Sequence, residues 1–159
     1  MKKVLATALL VALPATAFAE TQLERLESIS ERLNDAMFSA MIRMVAKEGG
    51  NPEPLRAAMP DGTWDDAYRD AGACILDRYT DASSASAVDT MLDEMEAFIP
   101  RLDEIDLAAM GEGPSFLPEG VSEDYSMTVN SECGLTDIMM ERMSESGFMA
   151  TMMQSMSGK

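Results

Sequence analysis

A chain of 159 residues with 28 acidic against 12 basic side chains, a formal charge of −16, is a poor partner for nucleic acid or for an anionic membrane surface. It contains no histidine, which removes the usual triad base and the imidazole metal ligand, and its 47% apolar content is too high for a disordered chain. What sets it apart is 16 methionines beside only two cysteines.

The first residues set the expected compartment. Lys2 and Lys3 precede an apolar run from Val4 to Leu13, then Pro14 and the small-residue site Ala17-Phe18-Ala19. This is the three-part layout of a secretory signal, and it predicts removal of residues 1–19 with the mature chain starting at Glu20. The run is shorter than the roughly 20 residues that a membrane-crossing helix needs, and no later stretch comes closer, so no stable membrane insertion is expected. The short basic start and alanine-rich run point to a bacterial export route and a periplasmic address. Taking 19 residues from 159 leaves 140 in one expected domain, residues 20–159. With Lys2 and Lys3 gone, ten basic residues face 28 acidic ones, a charge of −18. Those carboxylates are expected on solvated helix faces.

The mature chain reads as helix throughout. From Thr21 to about Lys47, Leu23, Leu26, Leu33, Met37, Ala40 and Met44 recur in steps of three and four, an amphipathic stripe of about seven turns. Gly49-Gly50-Asn51-Pro52 stops it, and a connection punctuated by Pro52, Pro54 and Pro60 follows. Thr63 then reads as the N-cap of a second helix, with Trp64, Ala67, Tyr68, Ala71, Cys74, Ile75 and Tyr79 on one face. A third begins near Ser86 and carries Val88, Met91, Leu92, Met95, Phe98 and Ile99 up to Pro100. A further turn or two is expected over Asp103 to Met110. Three glycines and two prolines between Gly111 and Gly120 predict an irregular loop. Beyond it come a short helix from Ser122 to Thr128 and a long one from Gly134 or Leu135 to Met156. No segment alternates apolar and polar residues as a strand would. The expected fold is all-α, a small and mostly antiparallel helical bundle-like domain.

In an exported chain two cysteines are read first as a disulfide, here Cys74 to Cys133. Catalytic readings are weak. The adjacent carboxylates Asp65/Asp66, Asp93/Glu94 and Asp103/Glu104 diverge on a helix, and Gly111-Glu112-Gly113-Pro114 lacks the lysine and hydroxyl of a phosphate loop. An EF-like start at Asp61, Thr63 and Asp65 fails at Asp66 and Gly72, where a calcium loop needs glycine and glutamate.

The methionines carry the functional reading. Met37, Met41 and Met44 share a helix face, as do Met91 and Met95, then Met139, Met140 and Met143, and then Met149, Met152, Met153 and Met156. The stripe Leu135, Met139, Met143, Met149, Met153 and Met156 is expected to dock on the first helix near Leu33, Met37 and Met44. Met140, Phe148 and Met152 flank it and are read as a recognition surface for a protein partner or a second copy. The expected role is therefore that of a non-catalytic binding module without a cofactor. The alternative is Cu(I) held by thioethers, with Met149, Met153 and Met156 as ligands. Sacrificial oxidation of methionine is the third reading.

Overall fold

The computed structural model describes residues 21–103 and 115–157; the signal segment 1–19 and all but the first residue of the expected helix from Asp103 to Met110 lie outside them. Among the described residues the chain is all-α. It forms α1 (Gln22–Lys47), α2 (Glu53–Ala57), α3 (Asp66–Ala82), α4 (Ala85–Phe98), a 3₁₀ turn (Ile99–Asp103), α5 (Glu123–Glu132), α6 (Leu135–Glu145) and α7 (Phe148–Ser157).

The starts of these helices are written in their capping residues. Thr21 and Glu24 form a reciprocal capping box on α1, with the Glu24 carboxylate accepting from the Thr21 amide at 2.8 Å. Ser84 caps α4, not Ser86 nearby, by accepting from the Ala87 amide at 3.1 Å. Asp65, not Thr63, caps α3 and accepts from the Tyr68 amide at 3.0 Å. Thr63 is instead held by Asp61, whose Oδ1 accepts from both its amide and its hydroxyl. That local turn keeps Thr63 out of the helix and moves the start two residues on. Ser122 caps α5 as its sequence predicts, and the helix runs on to Glu132.

Hydrogen bonds, ion pairs and the disulfide give the directions of packing. Glu31 meets Trp64 and Glu27 meets Arg69, so α1 and α3 run antiparallel. Tyr79 meets Ser126 and Cys74 meets Cys133, which makes α3 and α5 antiparallel as well. Between α1 and α4 the order is reversed: Gln22 reaches Asp89, Arg25 reaches Asp93 and Arg32 reaches Glu96, a parallel pair. This departure from an up-and-down bundle follows from the two-residue link between α3 and α4, which forces α4 back along the direction of α1.

The core gathers where these helices meet, around Ile29, Ile75, Leu76, Tyr79, Val88, Met91, Leu92 and Val129. The Tyr79 hydroxyl lies 2.6 Å from Ser126 Oγ, so the buried ring keeps its polar tip satisfied. The Cys74–Cys133 disulfide, with its Cα atoms 5.8 Å apart, joins the middle of α3 to the residue that ends α5.

The long C-terminal helix expected from the sequence is two helices. Gly147 adopts φ 73°, a left-handed conformation that glycine takes without penalty, and the chain turns there between α6 and α7. The turn removes α7 from the line of α6. As a result α6 packs on α3, α5 and α7, while α7 also reaches α2.

Candidate functional site

The split changes where the methionine stripe goes. Leu33 and Met37 of α1 and Met139 and Met143 of α6 face one another across an open cleft of about 380 Å³, where the sequence predicts direct docking. The cleft reaches the core. Its inner wall is made of Ile75, Leu76 and Tyr79 from α3 with Met91 and Met95 from α4, and Phe116 and Leu135 contribute at the far side. The loop from Pro60 to Trp64 closes one edge.

Each wall is held by identifiable contacts. Trp64, the only tryptophan in the chain, is buried at that edge with its backbone amide donating to Glu31 Oε1 at 3.0 Å. Its ring lies against α3 at Gly72, where an added Cβ would stand 2.7 Å from two ring carbons. Glycine is therefore what allows the indole to sit on the helix. Tyr68 packs beside it, with ring centroids 5.8 Å apart. At one end of the cleft Phe38 meets the ring of Phe148 edge-on at 5.5 Å.

Arg142 ties α6 to the loop. Its guanidinium donates to the Asp61 carbonyl at 2.9 Å, the Thr63 carbonyl at 2.7 Å and Asp65 Oδ2 at 2.7 Å, and it stacks on the Tyr68 ring at 4.2 Å from the centroid. Asp65 is held below the usual carboxylate range, first by the Tyr68 amide at the helix start and then by Arg142. The two bonds from Thr63 hold Asp61 down in the same way. Burial pushes the Tyr68 hydroxyl above its ordinary value. The sequence marks this latch only faintly: Arg142 is the one basic residue between Leu135 and Met156, and its partners lie 77 to 81 positions away.

The expected recognition flank is divided. Met140 is 54% exposed, Met152 is half-buried, and Phe148 is only 7% exposed because its ring is spent on Phe38 and the interior. Phe148 is thus a packing residue, a correction to its reading as surface. The turn at Gly147 is the reason, since it rotates the following residue inward. Of the proposed copper ligands, Met149 and Met153 are exposed on α7 and do not line the cleft, while the Met156 side chain lies outside the described residues. What the structure does bring together is Met37, Met91, Met95, Met139 and Met143, drawn from three of the four groups seen in the sequence.

No family model, no curated protein and no solved structure matches this chain. Among the described residues no helix is long and apolar enough to cross a membrane, and no group of three or more acidic or cysteine side chains is placed to hold a metal ion.

Proposed function

We propose that this protein is a non-catalytic binding module of the bacterial periplasm whose methionine-lined cleft takes up the apolar part of a ligand. The observation that carries this reading is the cleft itself, about 380 Å³ in volume and walled by apolar side chains from α1, α3, α4 and α6. A concave apolar pocket with a few polar groups at its edge is the usual form of a small-molecule site. Methionine suits such a wall because its unbranched, polarizable side chain adapts to the shape of what enters. Several polar groups around the cleft are committed to structure: Tyr79 to Ser126, Thr63 to Asp61, and Arg142 to the loop. That supports binding over catalysis. The secretory layout of residues 1–19 and the disulfide support an oxidising envelope compartment.

Trp64 makes the reading measurable, because it lines the cleft and is the only tryptophan. Titration with dodecyl maltoside below its micelle concentration is expected to shift the Trp64 emission with saturable, one-site behaviour. Leu33→Gln with Met143→Gln is expected to abolish the shift while leaving the far-ultraviolet helix signal in place. An emission that does not respond to any alkyl probe would overturn the reading.

The gathering of five thioethers around one cleft favours a second reading, Cu(I) binding, because thioether sulfur is a soft donor that suits that ion. Changing Met37, Met139 and Met143 to leucine separates the two. Leucine keeps the wall apolar and near its original volume. Retained alkyl binding favours an apolar ligand; loss of submicromolar Cu(I) binding favours the metal.

A further inference from the structure

We infer that the ligand of the cleft is a cationic amphiphile, a single ammonium or guanidinium head on an apolar body, with the head received by Asp61. The inference rests on the reading of the cleft as a binding site and adds the sign of the charge at its mouth. Asp61 belongs to the cleft wall and is exposed to solvent. Its Oδ1 takes both bonds from Thr63, at 2.9 and 2.6 Å, and its Oδ2 receives no hydrogen bond among the described residues. One carboxylate oxygen on the exposed part of the cleft wall is therefore open, beside the Arg142 guanidinium that binds the Asp61 carbonyl at 2.9 Å.

The surroundings have the same sign. The edge formed by α1, the loop and the start of α3 carries Glu27, Glu31, Asp61, Asp65 and Asp66 against Arg69, with Arg142 reaching in from α6; of these, Asp61 and Arg142 line the cleft itself. Both guanidiniums are already occupied. Arg69 lies 2.6 Å from Glu27 and 3.8 Å from Asp66, and Arg142 is bound to Asp65 and two carbonyls. An anionic head would meet a carboxylate-rich edge whose cations are spent, inside a chain with a net charge of −16. A cationic head meets an open acceptor and a favourable field. Fatty acids and anionic lipids are selected against by the same arrangement.

The test compares three probes with the same twelve-carbon tail: dodecyltrimethylammonium, dodecyl maltoside and dodecyl sulfate, each below its micelle concentration and followed through Trp64. The ammonium is expected to bind one per chain and up to about five-fold more tightly than the neutral probe, the scale of one partly exposed charge pair. The sulfate is expected to bind most weakly. Asp61→Asn keeps the acceptor for Thr63, so it should fold as the parent does. It is expected to erase the preference for the ammonium over the maltoside, while Asp61→Glu restores part of that preference. Equal affinity for all three heads, or a preference that survives Asp61→Asn, would overturn the inference and leave the cleft as a binding site. Binding of the ammonium at many weak sites, insensitive to Asp61→Asn, would overturn it too, as adsorption to the acidic surface. Failure of every probe removes the cleft reading itself.

Discussion

At the scale of single residues the methionines divide by position, and oxidation reads that division directly. Met91 is buried in the core, whereas Met37 and Met139 are each 45% exposed within the cleft and Met153 is 69% exposed outside it. Peroxide transfers one oxygen to an accessible thioether and turns an apolar side chain into a polar one. Mass mapping after brief treatment is expected to find sulfoxide at Met127, Met140, Met149 and Met153 together with Met37 and Met139, and last at Met91. Oxidation at Met37 and Met139 is expected to weaken alkyl binding, whereas oxidation confined to the other exposed positions should leave it intact. Modification of Met91 in the first minutes would show that the core is open. Gly72 is the second residue on which the cleft depends. Gly72→Ala puts a methyl group into the Trp64 ring and is expected to cost about 1–3 kcal/mol, the usual range for overpacking. The same variant should shift Trp64 emission to the red. The sequence shows Trp64 on an apolar helix face and Gly72 only as a residue that a calcium loop would not have there. Their dependence on each other comes from the turn at Asp61 and Thr63, which bends the chain back over the helix.

The elements themselves were largely legible. Spacing in steps of three and four sufficed for α1, α3 and α4, because each buries a long apolar stripe and periodicity reports burial. Helix starts were less legible, since Thr63, Asp65, Ser84 and Ser86 all have capping side chains and only the path of the chain chooses among them. The short helix α2 hid among prolines, and the break at Gly147 hid inside an unbroken run of methionines. The cleft depends on that break, so the site was legible in its materials and not in its place. The latch between α6 and the loop belongs to this scale. The pKa values of Asp65 and Asp61 are lowered in the folded state, so the folded chain takes up these protons less readily than the unfolded one. Their stabilisation is complete above the ordinary aspartate value of about 4 and is lost as pH falls through the lower folded values. The Trp64 emission is therefore expected to stay constant from neutral pH to about pH 5 and to change below about pH 4. Arg142→Ala is expected to lower the melting temperature and move the onset of that change to higher pH. An unchanged onset would mean that Arg142 does not hold the loop.

At the scale of the molecule, arginines sew acidic helices together. Arg25 and Arg32 join α1 to α4, Arg69 joins α3 to α1, and Arg78 joins α3 to α5. The surplus carboxylates still repel one another, so moderate salt has two opposed effects, screening that repulsion and weakening the pairs. The disulfide is less ambiguous. It closes a loop of 59 residues, worth about 4 kcal/mol on the chain-entropy account. Reduction is expected to lower the melting temperature by roughly 10 °C or more, measured by circular dichroism with and without reductant. A change within error would show that the packing of α5 and α6 holds without the bond.

The disulfide and Arg142 act on the same helix from its two ends. Cys133 fastens the chain two residues before α6 begins, and Arg142 fastens its last turns to the loop, while neither cysteine lines the cleft. One wall of the cleft is thus a beam clamped at both supports. The entropy of holding that wall in place is spent when the chain folds, and an incoming ligand does not spend it again. Cutting the bond releases one support without altering a single side chain that the ligand would touch. Affinity for an alkyl probe should then fall in the reduced, still folded protein, chiefly through faster dissociation. A cross-link remote from the cleft would in this way set how long its occupant stays.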